Sequence, residues 1–300
     1  MSSIPGEELG SHEVDGADLP PALAAGHAGR EGAGDSALRR AAVASALALG
    51  RGVVTLVVVL AAWILFLKAF HISSFVGKGP LDVWRYLTSG SDAAANRSEL
   101  LSESGYTLRD AFLGLAGGTV AALACAVAFN VWRGTSAAFM PIAMVLRSVP
   151  LVALTPLIVA VFGRTLVAVT VITGIVTFFP TLVYVTLALR RTPVESLELC
   201  RAYGGSTAKT LWKVQVPSAL PSLFASLRIA APLSLVGALL AEWLATGQGL
   251  GWNMIEAATE SDYNGLWTRV VVVTALSALL YKVIGAAEQK VLARFGALGR

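Results

Sequence analysis

Six stretches of this chain, at roughly 41–70, 107–131, 139–161, 165–189, 219–246 and 267–286, are long, apolar and nearly free of charge. Each approaches or exceeds the ~20 residues that carry a helix across a hydrocarbon core. The pattern predicts an all-α integral membrane protein with about six spanning helices. Composition agrees. Only 14% of residues are charged and 55% are hydrophobic, against about 25% charge in an ordinary soluble domain. Such a chain cannot cover itself with a polar surface in water. The net charge of +4 is what basic inner loops supply, and it argues for no nucleic-acid partner.

Residues 1–38 are rich in Gly, Ala, Ser and acids and read as a disordered tail. No short apolar segment with a cleavage site lies near Met1, so the first run is expected to act as an uncleaved anchor. Lys and Arg distribute unevenly between the loops. With the N-terminus inside, Arg39, Arg40, Arg51, Arg133, Arg190, Arg191, Arg201, Lys209, Lys213 and Lys290 are all cytoplasmic, and the outer loops keep Lys78, Arg85, Arg97 and Arg164. Both termini are therefore expected in the cytoplasm, in a multi-pass protein of the cell membrane. Prolines and small residues punctuate the runs, including Gly114, Gly117, Gly118, Pro150 and Pro180. They suit helices packed on other helices.

Several chemistries are not supported. Cys125 and Cys200 lie far apart with no metal-ligand spacing, and His12, His27 and His71 all lie outside the apolar runs. Gly77-Lys78-Gly79 lacks the remainder of a phosphate-binding loop. An intramembrane enzyme would need a buried nucleophile–base pair or a ligand cluster, and no such pairing is visible.

The loop at 190–218 carries the most information. Thr192 suits a helix N-cap, Pro193 the first helical position and Glu195 the return contact of a capping box. A short helix then runs to Tyr203, where Gly204-Gly205 ends it. Ser206 or Thr207 opens a second short helix that is expected to stop at Pro217. Leu197, Cys200, Ala202 and Tyr203 are expected on one apolar side, which must be buried against something: the protein's own helix ends, the lipid interface, or a partner.

Glu198, then Gly204, then nine residues to Val214 and on to Val216-Pro217 resemble the EAA loop. That loop marks the membrane subunits of binding-protein-dependent ABC importers. Further residues resemble the branch that imports nitrate, aliphatic sulfonates, taurine or pyrimidine-type vitamin precursors. They are Pro141, Leu146-Arg147-Ser148-Val149-Pro150, Leu154-Thr155-Pro156, Phe178-Phe179-Pro180, Leu227-Arg228, Glu242 and Gly247-Gln248-Gly249-Leu250-Gly251. Leu199 and Cys200 stand where the family has alanines, and Val214 and Val216 stand for its isoleucine and leucine.

The resemblance implies a type I (MetI-like) permease fold. It divides the chain into a tail at 1–38, a first helix and outer loop at 39–104, a core domain at 105–290 and a C-terminal tail at 291–300. It implies that Glu198, Leu199, Arg201, Ala202, Tyr203 and Gly204 dock onto a separate cytoplasmic ATPase subunit, which binds the ATP. An extracytoplasmic substrate-binding protein and a second permease copy, making a homodimer, complete the implied assembly. The implied cargo is a small anion such as an aliphatic sulfonate, taurine or nitrate.

Four charges fall within or beside the apolar runs: Asp110, Arg147, Arg228 and Glu242. Intramembrane charge is costly and faces a cavity or a partner. Arg147 and Arg228 either provide a field for an anion or snorkel and pair. Glu242 either lines the translocation path or caps a helix. The glycine run at 247–251 is either part of the surface that receives a binding protein or a turn. The spans and buried charges alone would also fit an ion-coupled secondary transporter, which predicts internal repeats that the chain lacks.

Overall fold

The computed structural model describes residues 50–132, 139, 141–142, 145 and 148–295. Its described residues are helical and loop, with no strand. The chain divides into two compact units, 1–70 and 71–300. The described part of the first is α1, Gly50–Ala69, with a mean hydropathy of 2.4. It is apolar on all sides, as a helix solvated by lipid must be.

The second unit runs through α2 (Pro80–Thr88), α3 (Ala93–Val131), α4 (Leu151–Phe162), α5 (Leu166–Arg190), α6 (Val194–Ala202), α7 (Thr207–Thr246), α8 (Leu250–Thr259) and α9 (Tyr263–Phe295). With α1, the helices α3, α5, α7 and α9 make five among the described residues that are long and apolar enough to cross a membrane. The run expected at 139–161 differs. Its described residues Phe139, Pro141, Ile142, Val145 and Ser148 are helical, but Val149 bends and Pro150 becomes the N-cap of α4. Proline lacks the N–H and pushes its predecessor out of helical space. The 12 residues of α4 rise about 18 Å, short of the ~30 Å core.

The centre of this unit is a contact of small residues among α3, α5 and α7. A Cβ on Gly118 would stand 2.5 Å from the Gly174 carbonyl oxygen, and one on Gly237 would stand 2.8 Å from Thr173 Cα. Thr177 Oγ1 donates to Gly114 O across the same seam at 3.1 Å. Between helices in lipid there is no hydrophobic drive, so close backbone approach and such hydrogen bonds hold them. Larger side chains close the two ends. Phe129, Leu182, Leu189 and Leu211 cluster at one, and Ile158, Val169, Ile172 and Ala245 at the other.

Candidate functional site

The loop after α5 folds as a stiff elbow. Leu189 O would ordinarily receive the N–H of residue 193, which is proline and has none. Thr192 Oγ1 donates to that oxygen instead, at 3.1 Å. Thr192 is thereby spent. The N-cap of α6 is Pro193, one residue later than the sequence suggests, and no capping-box bond forms. Glu195 in the first turn and Arg201 in the last still complement the helix dipole.

The C-terminus matches expectation. Gly204 takes φ +72, its N–H donates to Arg201 O, and the Gly205 N–H donates to Cys200 O, both at 2.9 Å. This is a Schellman closure, which needs the left-handed glycine. A Cβ on Gly205 would meet Cys200 O at 2.6 Å.

The second helix does not stop at Pro217. Ser206 Oγ accepts from Lys209 N, and α7 then continues to Thr246. A π-helical turn, Leu211–Gln215, precedes the proline, with Val216 N bonded to Leu211 O. That wider turn resets the backbone ladder just where Pro217 lacks a donor, so the helix carries on.

The expected single apolar stripe on α6 splits in two. Leu197 and Cys200 turn inward and are half-buried, and Cys200 Sγ accepts from Thr210 Oγ1. Glu198, Leu199, Arg201, Ala202, Tyr203 and Gly204 are all exposed. Leu199 is 61% and Tyr203 85% exposed. Four residues apart on one helical face, they form an apolar surface that no described residue covers.

The far end of α7 holds Glu242, fully buried in a second π-helical turn, Glu242–Thr246. Its Oε2 accepts from Gly251 N at 2.7 Å, and Thr107 Oγ1 accepts from Leu250 N at 3.0 Å. These are the first N–H groups of α8, whose own N-cap, Gly249, has no side chain. Glu242 therefore has the geometry of a cap, supplied from another helix. The glycine run moulds around it. A Cβ on Gly249 (φ +89) would reach Glu242 Oε1 at 2.5 Å, and one on Gly251 would reach Leu239 O at 2.5 Å.

Two of the remaining charges, Arg228 and Asp110, are paired. Arg228 Nη2 donates to the Tyr281 hydroxyl at 2.6 Å and Nη1 to Glu288 Oε2 at 3.2 Å, with the guanidinium 4.6 Å from the Tyr281 ring centre. Asp110 is buried and bonded to Arg109. Arg147 lies outside the described residues. Arg228 and Glu242 do not converge, since a separation of 14 positions on α7 places them about 20 Å apart along the helix.

Sequence reasoning missed Arg269. It is 5% exposed on α9 and binds Glu103 twice and Glu99 once. The signal was an arginine inside an apolar run, and two glutamates four apart on a helix that begins at Ala93 rather than near 107. Beside this cluster, burial pushes the Tyr86 phenol above its ordinary value, with Asp262 adding to it. Among the described residues, no three His, Cys, Asp or Glu side chains converge as metal ligands.

Comparison with known proteins is consistent with this architecture. The family described as "Binding-protein-dependent transport system inner membrane component" matches residues 114–294. A probable ABC transporter permease of Haemophilus influenzae is 31% identical over 58% of this chain and 71% of its own length. The formylaminopyrimidine transport permease ThiX of Halalkalibacterium halodurans is 31% identical over 52% of this chain and 62% of its own. Among solved structures, an inward-facing MetNI methionine ABC transporter chain aligns over 65% of this chain and 97% of that one, with a TM-score of 0.58 and 19% identity. That last likeness concerns the fold.

Proposed function

The chain belongs to the family of binding-protein-dependent transport system inner membrane components, and from that premise we propose how it couples to a motor. It is a permease subunit of an ATP-binding-cassette importer, with the type I permease fold, and the hydrolysing subunit is a separate chain. The family sets aside the ion-coupled secondary transporter.

In the proposed scheme α6 is the handle that an ATPase grips on the cytoplasmic face. Leu199 and Tyr203 enter the groove of the partner, Glu198 and Arg201 place charge at its rim, and Ala202 and Gly204 let the surfaces approach. The observation that carries this reading is Tyr203, 85% exposed on a helix locked at its C-terminus by Gly204 and Gly205. A large exposed aromatic on a rigid mount is what an interface anchor requires. Nucleotide-driven closure of two ATPases would then move the spans as rigid bodies between inward-open and outward-open states. ATP is held by the partner, a substrate-binding protein delivers cargo from outside, two copies of this chain form a homodimer in lipid, and both termini are cytoplasmic. The 1–38 tail and the 105–290 core remain the proposed division of labour.

For cargo we retain a small anion such as an aliphatic sulfonate, taurine or nitrate. One observation favours a second reading, a pyrimidine-type precursor. Glu288 offsets the charge of Arg228 that an anion would use, and a relative is named for formylaminopyrimidine.

A photo-cross-linker at Tyr203 in the native membrane tests the docking. Capture of a nucleotide-hydrolysing subunit is expected. Capture of lipid alone, or labelling of Tyr203 from the outer side, would overturn it. Uptake of labelled taurine, nitrate and formylaminopyrimidine by vesicles holding the whole importer separates the cargo readings.

A further inference from the structure

Behind the elbow the ends of α3, α5 and α7 meet around a cavity of about 360 Å³ lined by Phe129, Asn130, Leu189, Arg190, Leu197 and Gln215. Leu197 belongs to α6, so the proposed handle borders the same cavity. Side-chain hydrogen bonds span it. Asn130 Nδ2 donates to Gln215 Oε1 at 2.8 Å, and Gln215 Nε2 donates to Leu189 O at 3.4 Å. The second bond has a cause in the sequence. Pro193 leaves Leu189 O without its helical donor, and a carbonyl left bare in the interior is costly. Thr192 and Gln215 satisfy it together. Because Gln215 Nε2 must donate to a carbonyl, its Oε1 faces Asn130, which fixes the orientation of both amides.

The placement of the two residues matters as much as the bond. Gln215 is the last residue of the π-helical turn Leu211–Gln215, so its direction is set by that turn and not by the regular ladder of α7. Asn130 is the penultimate residue of α3, a helix that is separated from the elbow in the chain by α4 and α5. Around the amides Phe129, Leu189 and Leu211 pack in an apolar cluster, with Arg190 lining the same cavity. Apolar contacts are non-directional and can slide, whereas an amide–amide bond is directional.

We propose that Asn130 and Gln215 are a positioning pair that passes movement of α6 to α3. This rests on the reading of α6 as the ATPase-docking helix. Neither side chain touches nucleotide or cargo. Gln215 is tied to the end of α5 through Leu189 O and to α3 through Asn130, so a push on the elbow reaches both helices at one point. Without the pair, the elbow moves and α3 does not follow.

The full complex of permease and ATPase in lipid nanodiscs provides the test, with ATP plus vanadate as the probe. The native thiol Cys125, half-buried on α3 shortly before Asn130, reports through its maleimide-labelling rate, read by mass spectrometry separately from Cys200. Asn130→Ala and Gln215→Ala should each retain ATPase binding and hydrolysis within about twofold. Each should lose about fivefold of the nucleotide-dependent change at Cys125. The exchange variant Asn130→Gln/Gln215→Asn, which restores an amide on each side, should recover most of it.

Single variants whose Cys125 response equals that of the wild type would overturn the pair. So would variants that lose hydrolysis and response in equal proportion, which marks a purely structural role, or a wild-type Cys125 that ignores nucleotide. A wild-type permease that recovers no ATPase overturns the docking reading itself, and is recognised before any variant is made.

Discussion

Arg269 holds Glu103, 166 positions away in the chain, through two parallel hydrogen bonds, Nε to Oε2 at 2.9 Å and Nη2 to Oε1 at 2.7 Å. Both side chains are about 5% exposed. The fork of the guanidinium matches the carboxylate in geometry as well as charge, which a lysine would not. Glu99 adds a third bond at 2.8 Å from its exposed position. The pair pins α9 to α3.

Breaking that pair from one side leaves the buried Arg269 with only the exposed Glu99 carboxylate to offset its charge. Glu103→Ala should therefore cost about 3 kcal/mol of stability, read from the denaturation midpoint in detergent. Replacing both members, Arg269→Leu with Glu103→Leu, should recover most of the loss. A double variant as unstable as Glu103→Ala would mean that the bond, and not the stranded charge, dominates.

Glu242 is expected to tolerate glutamine and not alanine. Glutamine keeps an oxygen for the Gly251 N–H. Alanine leaves that buried donor bare, which corresponds to about tenfold faster hydrogen exchange of the Gly251 amide, while the Leu250 amide keeps Thr107. Gly249→Ala should be at least as damaging, since its Cβ would meet the Glu242 carboxyl and its φ is +89. Exchange mass spectrometry over 247–259 provides the measurement.

Tyr203→Ala should weaken recovery of the ATPase about 30-fold, as loss of an aromatic anchor does, and leave the thermal stability of the isolated permease unchanged because the side chain is exposed. Equal loss of both would place Tyr203 in the fold and not in the interface.

Gly118→Val should separate α3 from α5. The new side chain meets Thr177 and the Gly174 carbonyl, and overpacking of such a seam costs about 3 kcal/mol. The expected readout is aggregation in size-exclusion chromatography, with Gly105→Ala, where a Cβ meets nothing within 4 Å, as the unaffected control.

Arg228→Gln should be mild. Its partner Glu288 is partly exposed and so is the arginine itself, so solvent screening leaves the pair contributing little to stability. ATP hydrolysis by the complex should stay within about twofold of wild type. A larger fall would put Arg228 in the gating machinery.

What the sequence determined by itself was whatever depends on local composition. Long apolar runs mark crossing helices because lipid selects them by length and hydropathy alone. The end of α6 was legible at Gly204-Gly205 because a left-handed cap is a property of those residues. Where several local rules competed, the three-dimensional context chose between them. Pro150 broke its run, while Pro217 did not, because a π-helical turn precedes it. Only the tertiary structure could decide which partner each buried polar group meets. Glu242 became a cap when α8 folded back over it, Gln215 found the carbonyl that Pro193 leaves bare, and Arg269 met Glu103 from the other end of the chain. Each of these groups must be satisfied once it leaves water. The residue that satisfies it is set by how the helices pack, and no window of sequence contains that.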